Sequence, residues 1–390
     1  MDELLSRGVE QIIGREELEE ALKGKRKLRI KLGVDPTRPD IHLGHAVVLR
    51  TLRRLQDMGH TVIFLIGDYT TKIGDPSGKS KTRPMLTDEE IAANVKTYQS
   101  QVGLILDLKK TEVRYNSEWL GKLSFGGLIS LASNVSVAQI IERDDFKNRL
   151  ASGQELALHE LLYPLMQGYD SVSLEADVEF GGNDQLFNMI AGRALQKKLG
   201  QKPQIVFIME LLVGTDGAKK MSKSLDNYIG ITDEPLDMYG KVMSLPDNLI
   251  APYYKLCTDI SLEVIDGLVK TLAEGANPRD SKASLAREIV RMYHGEAKAL
   301  KAEEAWNHQF RDGGRPKDIE EYTVSHPKVG LVELLVESGM AASKGEARRL
   351  IEQGGVKLDD TVQTTEAEPI FANHQILQVG KRRYLKLRVK

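Results

Sequence analysis

A chain of 390 residues with 41% hydrophobic content can build two or three domains with real cores, which excludes a disordered or fibrous polypeptide. Its formal net charge of -2 excludes a uniformly basic nucleic-acid binder, so any RNA contact must come from local patches. One cysteine, Cys257, excludes an internal disulfide framework or a cysteine-built zinc site, and the start Met1-Asp2-Glu3-Leu4 lacks the basic and apolar regions of an export signal; together they predict a cytoplasmic protein.

The first half alternates short β-rich runs with longer helical patterns, the mark of a parallel sheet covered by helices. Leu28 to Val34 reads as the first strand. Leu43 to Met58 follows as a helix, with Leu49, Leu52 and Leu55 on one side, Arg50, Arg53 and Arg54 largely outside, and Gly59 at its end. Thr61 to Ile66 is a short, continuous, β-branched run of the kind that forms a buried parallel strand. Thr87 and Glu90 form a capping box at the start of the next helix. Further strands are predicted at Glu112 to Tyr115, Glu175 to Phe180 and Gln204 to Met209, in a doubly wound pattern. The longest uncharged stretch, Leu123 to Ile141, is broken by Ser124, Gly126, Gly127, Ser130, Ser133, Asn134 and Gln139, which argues against a membrane span.

After Ser224 the pattern is helical to about Phe310. Arg311 to Pro316 interrupts it, and the stretch to about Pro327 reads as a linker. A small domain is expected from 328 to 390, with a helix at Leu331 to Glu337 stopped by Gly339. A second helix opens with a Ser343/Glu346 capping box, and a final strand sets Leu385, Leu387 and Val389 against cationic neighbours.

Several segments carry candidate chemistry. Gly33-Val34-Asp35-Pro36-Thr37 runs from a strand into a turn, and His42-Leu43-Gly44-His45 then opens a helix whose unpaired amides attract anions. The two imidazoles would add donors to a phosphate, and Gly44 would allow close approach; a bare His-x-x-His pair also fits surface or zinc-bound histidines. Lys220-Met221-Ser222-Lys223-Ser224, after the Gly214 to Gly217 turn, places two ammonium groups and two hydroxyls where a polyphosphate could be gripped. Gly74 to Ser80 resembles a phosphate loop but has three residues where that motif needs four, and Pro76 removes an amide. Within it Asp75 could bind an ammonium group, while Lys79 and Arg83 could meet phosphates transiently; an ordinary turn with a salt bridge is the alternative.

Tyr163, Gln167 and Asp170 share a helix face at i, i+4 and i+7, either lining a pocket or facing solvent, with Pro164 arguing against a regular helix. Gly181-Gly182-Asn183-Asp184-Gln185 falls between a strand end and a helix start, where open α/β sheets bind ligands. In the tail, Lys344, Arg348, Arg349 and the Gly380 to Tyr384 turn offer two cationic surfaces, suited to salt-sensitive RNA binding or simply solvated.

On these segments the chain resembles the bacterial tyrosyl-tRNA synthetases, class I aminoacyl-tRNA synthetases, over nearly its full length. The His42 to His45 and Lys220 to Ser224 signatures bracket the Gly74 to Lys79, Tyr163/Gln167/Asp170 and Gly181 to Gln185 patterns in the expected order. The resemblance implies a Rossmann-like doubly wound α/β catalytic domain over 1–225 with a connective insertion at about 115–170. An α-helical anticodon-binding domain would follow over 226–311, then a linker over 312–327 and a small α+β RNA-binding domain over 328–390, similar to one in a ribosomal protein of the small subunit.

It implies that His42, His45, Lys220 and Lys223 are catalytic, acting on the ATP phosphates and the departing pyrophosphate. Asp35, Thr37, Gly44, Gly182, Asp184, Leu212, Val213, Met221, Ser222 and Ser224 would join the ATP site, with Asp184 and Gly182 at the ribose and Leu212 and Val213 at adenine. Asp75, Tyr163 and Gln167 would hold the tyrosine ammonium, Asp170 its phenolic hydroxyl, and Gln185 would line the same pocket.

Partners so implied are L-tyrosine, ATP accompanied by magnesium, tRNA(Tyr) and a second copy of the chain in a homodimer, with no DNA, membrane, resident metal or tightly bound cofactor. Lys31 and Glu179 depart from another branch of the family, and their joint substitution suggests that they compensate one another near the pocket. A tryptophanyl-type synthetase does not account for Asp170 together with Gly181 to Gln185. A noncatalytic RNA-binding relative does not account for intact His42, His45, Lys220 and Lys223.

Overall fold

The computed structural model describes residues 3–36, 40–76, 86–310, 319–364, 369–380 and 383–389, which cluster into two compact units, Met1–Leu300 and Lys301–Lys390. In the first unit, among the described residues, six strands form one sheet: β1 (Val9–Ile13), β2 (Arg29–Val34), β3 (Thr61–Ile66), β4 (Thr111–Tyr115), β5 (Val178–Gly182) and β6 (Ile205–Met209). Their order is β1-β6-β5-β2-β3-β4. All neighbours are parallel except β1, which runs antiparallel to β6. The chain winds outward from β2 to β3 and β4, then returns to β5 on the other side of β2. This reversal opens a crevice at the carboxyl ends of β2 and β5, where doubly wound sheets bind ligands.

Helices α1 (Arg15–Lys23), α2 (Leu43–Asp57) and α3 (Asp88–Val102) lie in the first half of the unit. The Thr87/Glu90 box at α3 closes as expected, with both reciprocal bonds formed. Between β4 and β5 lie α4 (Ser117–Leu120), α5 (Phe125–Ala132), α6 (Val137–Ile141), α7 (Asp144–Ala151) and α8 (Leu158–Ser173). α8 runs straight through Pro164, contrary to the sequence argument. Proline removes one amide from the ladder, and the buried face of α8 holds the helix together across it. α9 (Leu186–Lys198) links β5 to β6 and packs closely on α8, where an added Cβ on Gly168 would meet Gly192 Cα at 3.1 Å.

Inside the sheet, β3 is buried from Val62 to Ile66, and Phe180 and Phe207 stack at 4.2 Å. Sequence reading missed β1, an edge strand with only weak alternation. The strand expected from Glu175 begins instead at Val178, because Glu175 adopts a left-handed turn (φ 47°) after α8.

Five further helices follow: α10 (Pro235–Met243), α11 (Ile250–Cys257), α12 (Leu262–Ala273), α13 (Pro278–His294) and α14 (Glu296–Phe310). No helix among the described residues is long and apolar enough to cross a membrane.

The second unit contains β7 (Glu321–Val324), α15 (Leu331–Glu337), α16 (Lys344–Glu352), β8 (Val356–Leu358), β9 (Thr361–Val362), β10 (Ile376–Val379) and β11 (Arg383–Val389), with sheet order β7-β11-β10-β8-β9. β7 lies inside the stretch read as a linker. It pairs in parallel with β11, and Val324 joins a core with Leu334, Leu335, Ile351, Leu377 and Leu387. The Ser343/Glu346 box forms only in part: Ser343 Oγ accepts from the Glu346 amide, while the Glu346 carboxylate accepts from Ala342 instead.

Candidate active site

The crevice is a cavity of about 610 Å³, and the lining is built from strand ends and the loops that follow them. His42 is the N-cap of α2 and His45 its third residue; the His42 amide donates to His45 Nδ1 at 3.3 Å, and the rings stack at 3.9 Å. Gly44 keeps that stack possible, since a Cβ there would stand 3.0 Å from the His42 ring. Burial, reinforced by the neighbouring imidazole and by Lys223, pushes His42 down to about 2; burial and then Lys223 push His45 down to about 4. Both imidazoles are therefore neutral near pH 7. His42 Nδ1 is buried without a hydrogen-bond partner among the described residues.

The opposite wall is the loop Lys220 to Ser224. Val213 and Lys220 form an antiparallel bridge, and the Met221 amide donates to Leu212 O at 2.8 Å, so the loop begins as one arm of a hairpin. Asn227 fastens the other arm: its side chain accepts from the Ser222 amide at 2.7 Å and donates to Asp216 at 2.9 Å. Lys220 Nζ donates to Asp184 at 2.7 Å, and Lys223 Nζ lies 5.9 Å from the Tyr98 ring centre. Met221, Ser222, Lys223, Ser224, Leu212, Gly182 and Asp184 all line the cavity. Val213 is not in the lining among the described residues; Leu211 and Leu212 are, and the Val213 carbonyl accepts from Tyr253.

At the floor, α8 turns Tyr163, Gln167 and Asp170 inward. Tyr163 donates to Asp35 at 2.9 Å, and Thr70 donates to the other Asp35 oxygen at 2.8 Å, so Asp35 lies beside the amino-acid residues rather than with the ATP group alone. Burial first, then Asp35 and Asp75, hold the Tyr163 phenol protonated well above its ordinary range. Gln185 donates to Asp75 at 2.8 Å. Asp170 accepts from Trp119 Nε1 at 2.8 Å and from Asn116 Nδ2 at 3.3 Å. Burial raises its pKa to about 7, against the opposing pull of Lys31 and these two donors. Lys31 pairs with Glu179 at 2.9 Å, both fully buried.

Three contributors escaped sequence reading. Asn116 and Trp119 follow the carboxyl end of β4, where strand-end position was the available signal. Asn188 on α9 donates to Gln167 Oε1 at 2.9 Å and Gln185 Oε1 at 3.2 Å, and no local pattern marks it. Thr37, Lys79 and Arg83 lie outside the described residues.

A doubly wound sheet with a neutral histidine pair and a lysine hairpin across one crevice defines a class I tRNA synthetase site. A family model described as "tRNA synthetases class I (W and Y)" matches residues 23–311, and one described as "Tyrosine--tRNA ligase SYY-like C-terminal domain" matches 311–387. The tyrosine–tRNA ligase of Mannheimia succiniciproducens is 50% identical over 386 residues, 99% of this chain and 98% of that protein. The one from Thermotoga maritima is 50% identical over 390 residues, 98% and 96%. The fold matches the Archaeoglobus fulgidus tyrosyl-tRNA synthetase solved with L-tyrosine (TM-score 0.61, 24% identity, 77% of this chain and 98% of that one). The chain belongs to the tyrosine–tRNA ligase family.

Proposed function

We propose the following division of labour in this cavity. As a tyrosine–tRNA ligase the chain activates L-tyrosine with ATP and passes the tyrosyl group to the 3′-terminal adenosine of tRNA(Tyr). The observation that carries the reading is a single cavity with phosphate-type donors on two facing walls and a buried carboxylate, Asp170, at its floor.

The substrate carboxylate attacks the α-phosphorus; the new C–O–P bond forms as the bond to the β-phosphate oxygen breaks, and pyrophosphate leaves. Neutral His42 and His45 donate to phosphoryl oxygens, while Lys220 and Lys223 hold the departing pyrophosphate. No protein nucleophile is needed, since preorganised donors and alignment supply the rate. Magnesium enters with ATP as part of the substrate. Asp184 and Gly182 meet the ribose and Leu212 meets adenine. Asp75, Tyr163 and Gln167 take the ammonium group with Asp35 behind Tyr163, and Gln185 orients Asp75. Asp170 accepts the phenolic hydroxyl, and phenylalanine would leave that buried carboxylate short of a partner. In the second step a hydroxyl of the terminal adenosine attacks the activated carbonyl and AMP leaves.

Residues 1–225 serve as the catalytic domain with its insertion, 226–311 as the anticodon-binding domain, and the C-terminal unit as an RNA-binding domain. The chain works in the cytoplasm as a homodimer, a reading supported by exposed apolar Phe125 and Ile129 on α5, Val137 on α6 and Leu158 at the start of α8. Exchange of labelled pyrophosphate into ATP tests the chemistry: tyrosine should support it and phenylalanine and tryptophan should not, and silence with tyrosine sinks the reading.

A further inference from the structure

Lys31 and Glu179 are register partners on the two central strands, β2 and β5, directly under the crevice. Their side chains are 0% and 2% exposed and 2.9 Å apart. Lys31 Nζ also donates to Ser171 Oγ at 2.7 Å and to the Gln167 carbonyl at 3.2 Å, both on α8. Glu179 accepts from Gln167 Nε2 at 3.1 Å, from Ser171 Oγ at 3.0 Å and from Gln204 Nε2 at 2.5 Å. Buried ion pairs seldom stabilise a fold more than apolar residues of the same volume would, so stability alone does not account for this one. Its bonds lead to the substrate-facing helix instead: Glu179 accepts from the Gln167 side-chain amide, Lys31 donates to the Gln167 carbonyl, and both meet the hydroxyl of Ser171, the residue after Asp170.

We infer that Lys31 and Glu179 are a charge-neutral positioning pair for the substrate tyrosine, fixing the Gln167 amide and setting the charge that the Asp170 carboxylate meets. The inference rests on the reading of Asp170 as the phenol acceptor. With the pair intact, Lys31 offsets Glu179, and the floor carries the single negative charge of ionised Asp170. Without Lys31, two carboxylates would share a dry site and Asp170 would hold its proton to higher pH. The titratable groups facing Asp170 are Lys31 from β2, Glu179 from β5 and Tyr163 on α8 itself; Trp119 and Asn116 add neutral donors. Lys31 lowers the Asp170 pKa and Glu179 raises it, so removing each should act in opposite directions.

The test is kcat/KM for tyrosine in pyrophosphate exchange from about pH 5.5 to 9, with KM for ATP measured alongside. Lys31→Met should raise the tyrosine KM about tenfold and move the acid limb up by about one pH unit, with ATP KM within about twofold of wild type. Glu179→Gln should move the limb down. A limb that stays in place in both variants, or tyrosine and ATP KM rising together, overturns the inference. If Lys31→Met fails to fold because Glu179 is left unpaired, Lys31→Met/Glu179→Gln is compared with Glu179→Gln: a limb above that of Glu179→Gln, with the tyrosine KM still raised and the ATP KM unchanged, supports the pair's role, and a limb equal to that of Glu179→Gln or a wild-type tyrosine KM overturns it. Asp170→Asn separates the two readings. An unchanged tyrosine KM in that variant refutes Asp170 as the phenol acceptor, whatever the pair does, while a limb that survives in it shows that another group titrates and overturns the inference alone.

Discussion

Lys220 and Asp184 hold one another across 2.7 Å at the mouth of the cavity, joining the lysine hairpin to the turn after β5. The lysine side chain is half exposed and the aspartate nearly a third, so the pair adds little to stability. On the proposed roles both ends exchange partners when ATP arrives, the carboxylate for ribose hydroxyls and the ammonium for phosphate. Lys220→Met should therefore lower kcat for exchange by about 10- to 100-fold with an unchanged tyrosine KM and melting temperature, whereas Asp184→Asn should raise the ATP KM about tenfold. Stopped-flow and thermal melts check both, and a Lys220→Met enzyme with full rate refutes the assignment.

The histidine pair makes a signed prediction about pH. The folded pKa of His45, about 4, lies below the ordinary imidazole value of 6.5, so between these values the unfolded chain binds more protons than the native one. Its contribution is complete above about pH 6.5 and is lost as pH falls toward 4, and the still lower His42 acts in the same direction. Melting temperature should fall from pH 7 to pH 5, and fall less in His45→Gln; parallel pH profiles in the two proteins would show that other groups carry the acid sensitivity.

The fold was legible where periodicity is strong and the site where chemistry is concentrated. The apolar run at Thr61 to Ile66 could only be a buried strand, and the Thr87/Glu90 box marked its helix start to the residue. β1 and β7 went unread because each is a short edge strand whose partner, β6 or β11, lies far away in sequence. His42, His45, Asp75, Gly181, Gly182, Asp184 and Gln185 reach the cavity because each lies at or after a strand end, a rule that also finds Asn116, whereas Tyr163, Gln167 and Asp170 reach it from one face of α8. Asn188 was beyond reach, since its two glutamine contacts exist only after α8 and α9 pack. Lys31 and Glu179 stood out only as a joint departure from another branch of the resembled family, and the hydrogen bonds of Lys31 to Ser171 and Gln167 depend on α8.

That packing has its own test. α8 and α9 cross at Gly168 and Gly192, backbone against backbone, with the Gly168 Cβ position 3.1 Å from Gly192 Cα. Alanine normally favours a helix over glycine by about 1 kcal/mol, but here the neighbour is backbone and cannot give. Gly168→Ala should thus destabilise by about 1–3 kcal/mol in chemical denaturation and, by shifting Gln167 from Asn188, raise the tyrosine KM more than the ATP KM. A stabilised variant would mean that the helices part without cost.

The exposed face of α5 predicts the oligomeric state. Phe125 and Ile129 are one turn apart, on the same side, and Phe125 is 79% exposed. The wild type should run as a dimer in light scattering at micromolar concentration, and Ile129→Asp should yield monomers. A wild-type monomer, or a dimer indifferent to Ile129→Asp, places the interface elsewhere.

The C-terminal unit predicts a separation of the two reaction steps. Arg348 and Arg349 on α16 are largely exposed, as is Arg388 on β11, while Lys386 is held by Glu321 at 2.9 Å, so the cationic surface rests mainly on the arginines. Because β7 belongs to this unit, a cut at about Pro327 would remove β11 and leave β7 without its partner; ending the chain after Phe310 removes the whole sheet with α15 and α16. The shortened protein should exchange pyrophosphate at nearly the full rate yet charge tRNA at least about tenfold more slowly, and Arg348→Ala/Arg349→Ala in the full chain should weaken tRNA binding and flatten its dependence on salt, since each lost phosphate contact reduces counterion release. Filter binding across a salt series and aminoacylation assays measure the two effects. An equal loss of both steps on truncation would assign the unit to stability instead of RNA.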